Sequence, residues 1–181
     1  MKFTPDPTLS EIILIEPTVF GDERGFFFEA YHAAKFKDAG ITVPFVQDNQ
    51  SVSTKGVLRG MHLQCAPKAQ AKCIRVLSGS IYDVAVDVRA GSPTFGKWVG
   101  YTLSGENKQM LYIPEGFAHG FLVLSELAVL HYKCSELYSP EHERCLRYDD
   151  PDVAIKWPEM EDVILSEKDK EGLLLNDGFW Q

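Results

Sequence analysis

The run Gly56–Gln64, GVLRGMHLQ, places one arginine and one histidine inside an apolar segment bounded by glycine. Both side chains are costly to bury without partners. Arg59 and His62 are therefore the first candidates for a site, with Arg24, Lys72, His119, Tyr132, Lys133 and Asp169 as further polar residues in strand-like or capping surroundings. The chemistry these types support is general acid–base work. An imidazole titrates near neutrality, a carboxylate orients it, a phenol carries a proton, and a cation stabilises an oxyanion. Other chemistries lack their motifs. The five histidines, at 32, 62, 119, 131 and 142, form no HxH pair, so no metal site is expected. There is no GxSxG elbow, no Walker loop and no GxGxxG fingerprint, and the QCAP context of Cys65 gives no sign of an activated thiolate. No cofactor is expected.

The elements that must position these residues read mostly as strands. Lys72–Arg89 gives two strands around Ser78-Gly79, with Val84, Val86 and Val88 on one face and Asp83, Asp87 and Arg89 on the other. The same form recurs around Ser104–Asn107 and again around Ser125-Glu126. Upstream, Glu11–Phe20 and Phe45–Thr54 read as strands, GDERG as a turn, and Ala33–Gly40 as a helix ending at a C-cap glycine. Residues 138–159 are irregular. Ser166–Gly172 is read as a short helix with Ser166 as N-cap and Asp169 three positions later. The expected architecture is all-β, an antiparallel sandwich or jelly roll with small helical additions near both ends. Strict alternation through VLRGMHLQ puts Arg59 and His62 on opposite faces, and Gly60 is where a bulge could reunite them.

The 181 residues are read as one domain, 1–181, large enough for a real core. Net charge is −8, which argues against nucleic acid or anionic membrane as partners but leaves room for a small anionic ligand in a locally basic pocket. Four cysteines without a CxxC pair, an N-terminus without an apolar signal core, and no bilayer-length apolar run lead to the expectation of a cytoplasmic protein with reduced thiols.

Six stretches, LRGMHLQ, SPTFGKWVG, IPEGFAHGFLVLS, YKCSELYSPEHE, DDPDVAIKWP and LSEKD, resemble the dTDP-4-dehydrorhamnose 3,5-epimerase family. The similarity runs from about Gly21 to Asp169, in the family's order. It implies a cupin-like jelly roll that uses no metal, a homodimer, and a dTDP-linked 4-keto-6-deoxyhexose inverted at C3 and C5 through an enolate. Carried over by motif, His62 resembles the general base, Asp169 its partner, Tyr132 the acid on the other face, and Lys72 the cation at the enolate oxygen. Arg59 and His119 match positions around the sugar and diphosphate. Arg24, Phe27 and Glu29 resemble nucleotide-contacting residues, as do Gln47 and Asn49, and Glu143 and Lys168 are carried over with them. Where the family more often has two adjacent tyrosines this chain has Leu137-Tyr138, with Tyr138 read as shaping the sugar site. That departure touches fine specificity. Single-centre epimerases of related sugars, and a non-catalytic nucleotide-sugar-binding cupin, stay as alternatives.

Overall fold

The computed structural model describes residues 1–180. In chain order the elements are β1 (Lys2–Pro5), β2 (Ile13–Glu16), β3 (Phe20–Asp22), β4 (Gly25–Phe27), α1 (Ala33–Asp38), β5 (Gln47–Thr54), β6 (Leu58–Gln64) and β7 (Lys72–Ser78). There follow β8 (Ser80–Asp87), β9 (Trp98–Ser104), β10 (Met110–Ile113), β11 (Phe117–Val123), β12 (Leu127–Cys134), a 3-10 turn at Pro140–His142, β13 (Glu143–Cys145) and α2 (Glu167–Lys170). A six-stranded sheet, in the order β1-β2-β10-β7-β12-β5, faces a five-stranded sheet, in the order β13-β6-β11-β8-β9. Every strand pair is antiparallel, and β3 and β4 form a separate hairpin. This is the all-β, cupin-like jelly roll.

The three strand–turn–strand units of the sequence have a different meaning from hairpins. β7 lies in one sheet and β8 in the other, and the same holds for β9 with β10 and for β11 with β12. Each turn is a corner where the chain passes between layers. Gly79 marks one such corner, at φ +78°, and a Cβ there would lie 2.0 Å from the Leu127 carbonyl oxygen. Only a residue without a side chain fits. Crossing this way stacks the two sheets face to face, so alternate side chains of both point into one interior.

That interior is filled at one end by Ile74, Val76, Ile81, Leu103, Leu111, Phe117 and Leu130, among others. The sheets' outer faces are also covered. Phe36 of α1 packs on Ile13, Ile15 and Met110 outside the six-stranded sheet. Leu175 and Trp180 cover Val84, Val86 and Val88 outside the five-stranded sheet. Each such fully buried large side chain contributes about 1.5–3 kcal/mol. The alternation expected in β8 is present, but both of its faces are buried, and Asp83 and Asp87 are fully enclosed. Asp87 survives burial because its carboxylate accepts hydrogen bonds from Arg89, Ser92 and Thr94 in the β8–β9 loop. Burial pushes that carboxyl upward, but these donors outweigh it and hold the pKa at about 2.

Candidate active site

The Gly60 bulge forms. Arg59 faces Phe121 and His62 faces His119, so β6 spends three steps where β11 spends two. Gly60 has φ +125°, and a Cβ on it would lie 2.5 Å from Gly120 Cα. The extra residue reverses the side-chain phase, and Arg59 and His62 both line one cavity of about 540 Å³. Lys72, His119, Tyr132, Lys168 and Asp169 line the same cavity. His62 and His119 enter from the five-stranded sheet, Lys72 and Tyr132 from the six-stranded sheet opposite.

His62 Nε2 lies 2.6 Å from Asp169 Oδ1, a residue 107 positions later. The partner is brought there by local structure. Ile164 bridges in parallel to Val57, and Leu58 N–H donates to the Ile164 carbonyl, which ties the 160s segment to the start of β6. Ser166 then caps α2. Its hydroxyl accepts from the Asp169 N–H and donates to Asp169 Oδ2 at 2.7 Å. Burial raises the Asp169 carboxyl, but the His62 and Ser166 hydrogen bonds outweigh it and hold the group below the ordinary aspartate range. A carboxylate that stays charged fixes the orientation of the imidazole. With Nε2 engaged, Nδ1 is the nitrogen left to act on a ligand.

Lys72 Nζ donates to the His62 carbonyl at 3.3 Å. Burial pushes its pKa below that of an ordinary lysine, with Cys134, Glu143 and Asp83 pulling part of the way back. Burial pushes the Tyr132 phenol upward, Cys134 adds to this, and Arg59 opposes it. A second pair joins His119 Nε2, on the cavity lining, to the buried Asp83 Oδ1 at 2.8 Å. Arg59 Nε donates to Ser53 Oγ at 3.0 Å, which leaves the guanidinium's terminal nitrogens to other partners.

Other sequence candidates lie apart. Tyr138 donates to Glu143 Oε2 at 2.8 Å, and Glu143 pairs with Lys168, so these residues form a chain that meets the cavity lining at Lys168. Gln47, on β5, donates to Asn49 Oδ1 at 3.0 Å and accepts from the Tyr138 N–H at 2.9 Å. Arg24, Phe27 and Glu29 do not join the cavity. Arg24 pairs with Asp22 in the β3–β4 hairpin, Glu29 pairs with Lys35, and Phe27 is 67% exposed. Arg24 and Phe27 instead line a separate surface hollow of about 370 Å³.

Sequence reasoning missed two supporting residues and read a third, Ser166, only as a helix cap. Asp83 anchors His119, Ser53 anchors Arg59 and Ser166 anchors Asp169. Of the two missed, only Asp83 carried a signal, as a lone carboxylate in the apolar run SIYDVAV. Cys145 sits opposite His62 on β13, its thiol pushed up to about 12 by burial and by the Asp169 carboxylate, which removes it as a nucleophile.

A jelly roll whose interior opens on a histidine–carboxylate pair facing a tyrosine and a lysine holds side chains of the types that proton transfer on a bound ligand would use. The family described as dTDP-4-dehydrorhamnose 3,5-epimerase matches residues 6–177. The dTDP-4-dehydrorhamnose 3,5-epimerase of Pseudomonas aeruginosa is 54% identical over 170 residues, covering 93% of each chain. The structure of dTDP-6-deoxy-D-glucose-3,5-epimerase from Legionella pneumophila Philadelphia 1, in complex with dTDP-4-keto-L-rhamnose, superposes with a TM-score of 0.94 at 52% identity over 97% of this chain and 93% of that one. A 3'-monoepimerase from Streptomyces bikiniensis, in complex with dTDP-quinovose, has a TM-score of 0.90 at 35% identity over 96% of this chain and 88% of that one. The chain belongs to the dTDP-4-dehydrorhamnose 3,5-epimerase family.

Proposed function

We propose that this chain converts dTDP-4-dehydro-6-deoxy-D-glucose to dTDP-4-dehydro-L-rhamnose by inverting C3 and C5. The observation that carries the reading is one cavity in which His62, held by Asp169, stands on one sheet and Tyr132 on the other. Both target carbons flank the C4 ketone, so loss of either hydrogen leaves an enolate with its charge on O4. His62 Nδ1 takes the proton from one face. The Lys72 ammonium stabilises O4, where charge grows towards the transition state. Tyr132 delivers a proton to the opposite face, and the centre inverts. Exchange with solvent resets both groups before the second centre reacts. Arg59 and Lys168 supply local positive charge for the diphosphate in an acidic protein. His119, Tyr138, Glu143, Gln47 and Asn49 hold the sugar and nucleotide around the mouth.

Incubating the chain with dTDP-4-keto-6-deoxyglucose in D2O, read by NMR, tests this. Deuterium at both C3 and C5 is expected. Label at one carbon only would place the chain with the single-centre epimerases, and no label would leave it a binding protein.

The reading includes a homodimer. Val52 and Leu77 project from the outer face of the six-stranded sheet, and the hairpin beside it carries exposed Phe20, Phe26 and Phe27. Such apolar groupings mark protein interfaces. A two-fold partner would bury them and bring its own Arg24, Phe27 and Glu29 to this chain's nucleotide. Sedimentation as a monomer at working concentration would remove this part of the reading. The four cysteines are free thiols, which suits a reducing cytoplasm. Among the described residues no helix is long and apolar enough to cross a membrane.

A further inference from the structure

We propose that a soft divalent cation, Zn2+, binds between His62, Asp169 and Cys145 and switches the enzyme off. The ring nitrogens of His62, the carboxylate oxygens of Asp169 and the sulfur of Cys145 offer one donor each, and these donor atoms lie within 4.8 Å of one another. Imidazole nitrogen, carboxylate oxygen and thiolate sulfur are the three donor types zinc takes. Tetrahedral zinc, with bonds of about 2.0–2.3 Å, holds its donors about 3.3–3.8 Å apart, so the widest pair must close by about 1 Å while His62 Nε2 and Asp169 Oδ1, 2.6 Å apart, open by about 0.7 Å. The scaffold permits that movement. Cys145 ends β13, a three-residue strand at the edge of its sheet, and stands directly opposite His62 in the β6 pairing. Asp169 belongs to a four-residue helix. The cavity beside His62 and Asp169 gives the ion a path and leaves a fourth position for water. Spacing in the sequence gave no hint of this set, because its members stand at 62, 145 and 169.

Cys145 has no part in the proton transfers proposed above. Its sulfur lies 4.0 Å from Asp169 Oδ1, and its other hydrogen-bond contact among the described residues is the Leu146 carbonyl at 3.7 Å. The inhibitory effect follows from proton placement, and this step rests on the reading of His62 as the base. When Zn2+ takes Nε2, the ring proton moves to Nδ1. The Cys145 thiol releases its own proton to water as it becomes a thiolate. A neutral imidazole carrying its proton on Nδ1 cannot accept one from the sugar, and Asp169 is no longer its hydrogen-bond partner. Thiolate donation favours zinc over magnesium.

The experiment compares the wild-type chain with Cys145→Ala and with the isosteric Cys145→Ser, titrating each with ZnCl2 and with MgCl2 while following deuterium incorporation. Separately, Co2+ serves as a spectroscopic stand-in for zinc. Without metal, all three proteins are expected to turn over alike. Zinc should inhibit the wild type, magnesium should not, and both variants should need at least about 10–100-fold more zinc, the loss that even an outer-sphere partner costs a metal site. The wild-type cobalt complex should show a thiolate-to-metal charge-transfer band that both variants lack. Equal zinc sensitivity in wild type and variants, or a cobalt complex without that band, would overturn the proposal. The cobalt spectrum does not depend on turnover, so it decides metal binding even if the proposed epimerisation fails.

Discussion

Two histidine–aspartate pairs present their histidines to the same cavity, and their surroundings differ. His62 has a side chain 27% exposed and sits beside the sheet edge, while His119 is 10% exposed on the central strand β11. Asp169 has both oxygens engaged, Oδ1 by His62 and Oδ2 by Ser166. Asp83 is fully buried, and its Oδ2 has no protein donor among the described residues. The first pair is complete within the chain, so its carboxylate would stay fixed through the proton transfer proposed for the imidazole. The second pair is one donor short. A buried acceptor left bare costs about 1–3 kcal/mol, which a ligand held nearby can recover. The same two residue types thus suit different work, proton transfer at His62 and ligand holding at His119.

The sharpest way to break this contrast is at the imidazoles and their partners. His62→Ala should cut kcat by about 10²–10⁴, the usual worth of a general base, while dTDP binding persists. Asp169→Asn should approach the upper end of that range. An asparagine amide donating to Nε2 forces the ring proton onto Nδ1, the tautomer inversion that costs roughly 10⁴ in the serine-protease triad. Asp83→Asn should instead raise KM about 10-fold, the lower end of a charge-assisted hydrogen bond, with kcat little changed. Steady-state kinetics on the three variants checks this. A kcat loss in Asp83→Asn equal to that in Asp169→Asn would make the pairs equivalent and erase the distinction.

Much of the frame was legible because it depends on local pattern. Period-2 runs located β5 to β12, and Ser166 with Asp169 marked the cap of α2 before any coordinates. Which face of a strand is interior was not legible. In β8 the valines look like the core face and Asp83 like the outside, yet the chain's last turns bring Leu175 and Trp180 over the valines, and both faces are buried. Alternation reports that two faces exist, and what covers each is decided by distant segments. The same limit applies at β6. Gly60 flagged a possible bulge, but the phase change depends on how β11 pairs with it, and Gly120 is the residue that lets the strands approach. The roles of Asp169 and Tyr132 came from family resemblance, since no spacing links residues 62, 132 and 169. Short β13 lies in a stretch read as irregular, and Cys145 on it was read only as one of four reduced thiols.

The contrast between the two sides of the cavity also sets a pH dependence, smaller in effect than loss of the base. Lys72 and Tyr132 share the six-stranded sheet, and burial moves them apart, the lysine down and the phenol up. As pH rises Lys72 therefore loses its proton first. Activity that needs a cation at O4 should fall below the ordinary lysine range, while Tyr132 still holds its proton. Folding responds with the opposite sign. Between the lowered folded pKa and the ordinary unfolded one, the unfolded chain binds more protons at this position, so its contribution to stability rises with pH while activity falls. Lys72→Arg should move the alkaline limb of kcat upward, because guanidinium does not titrate there, at some cost in rate from its larger fork. Paired pH profiles of kcat and of unfolding free energy, for wild type and Lys72→Arg, read both effects. An alkaline limb that stays in place in the arginine variant would assign it to Tyr132 and take the enolate cation away from residue 72.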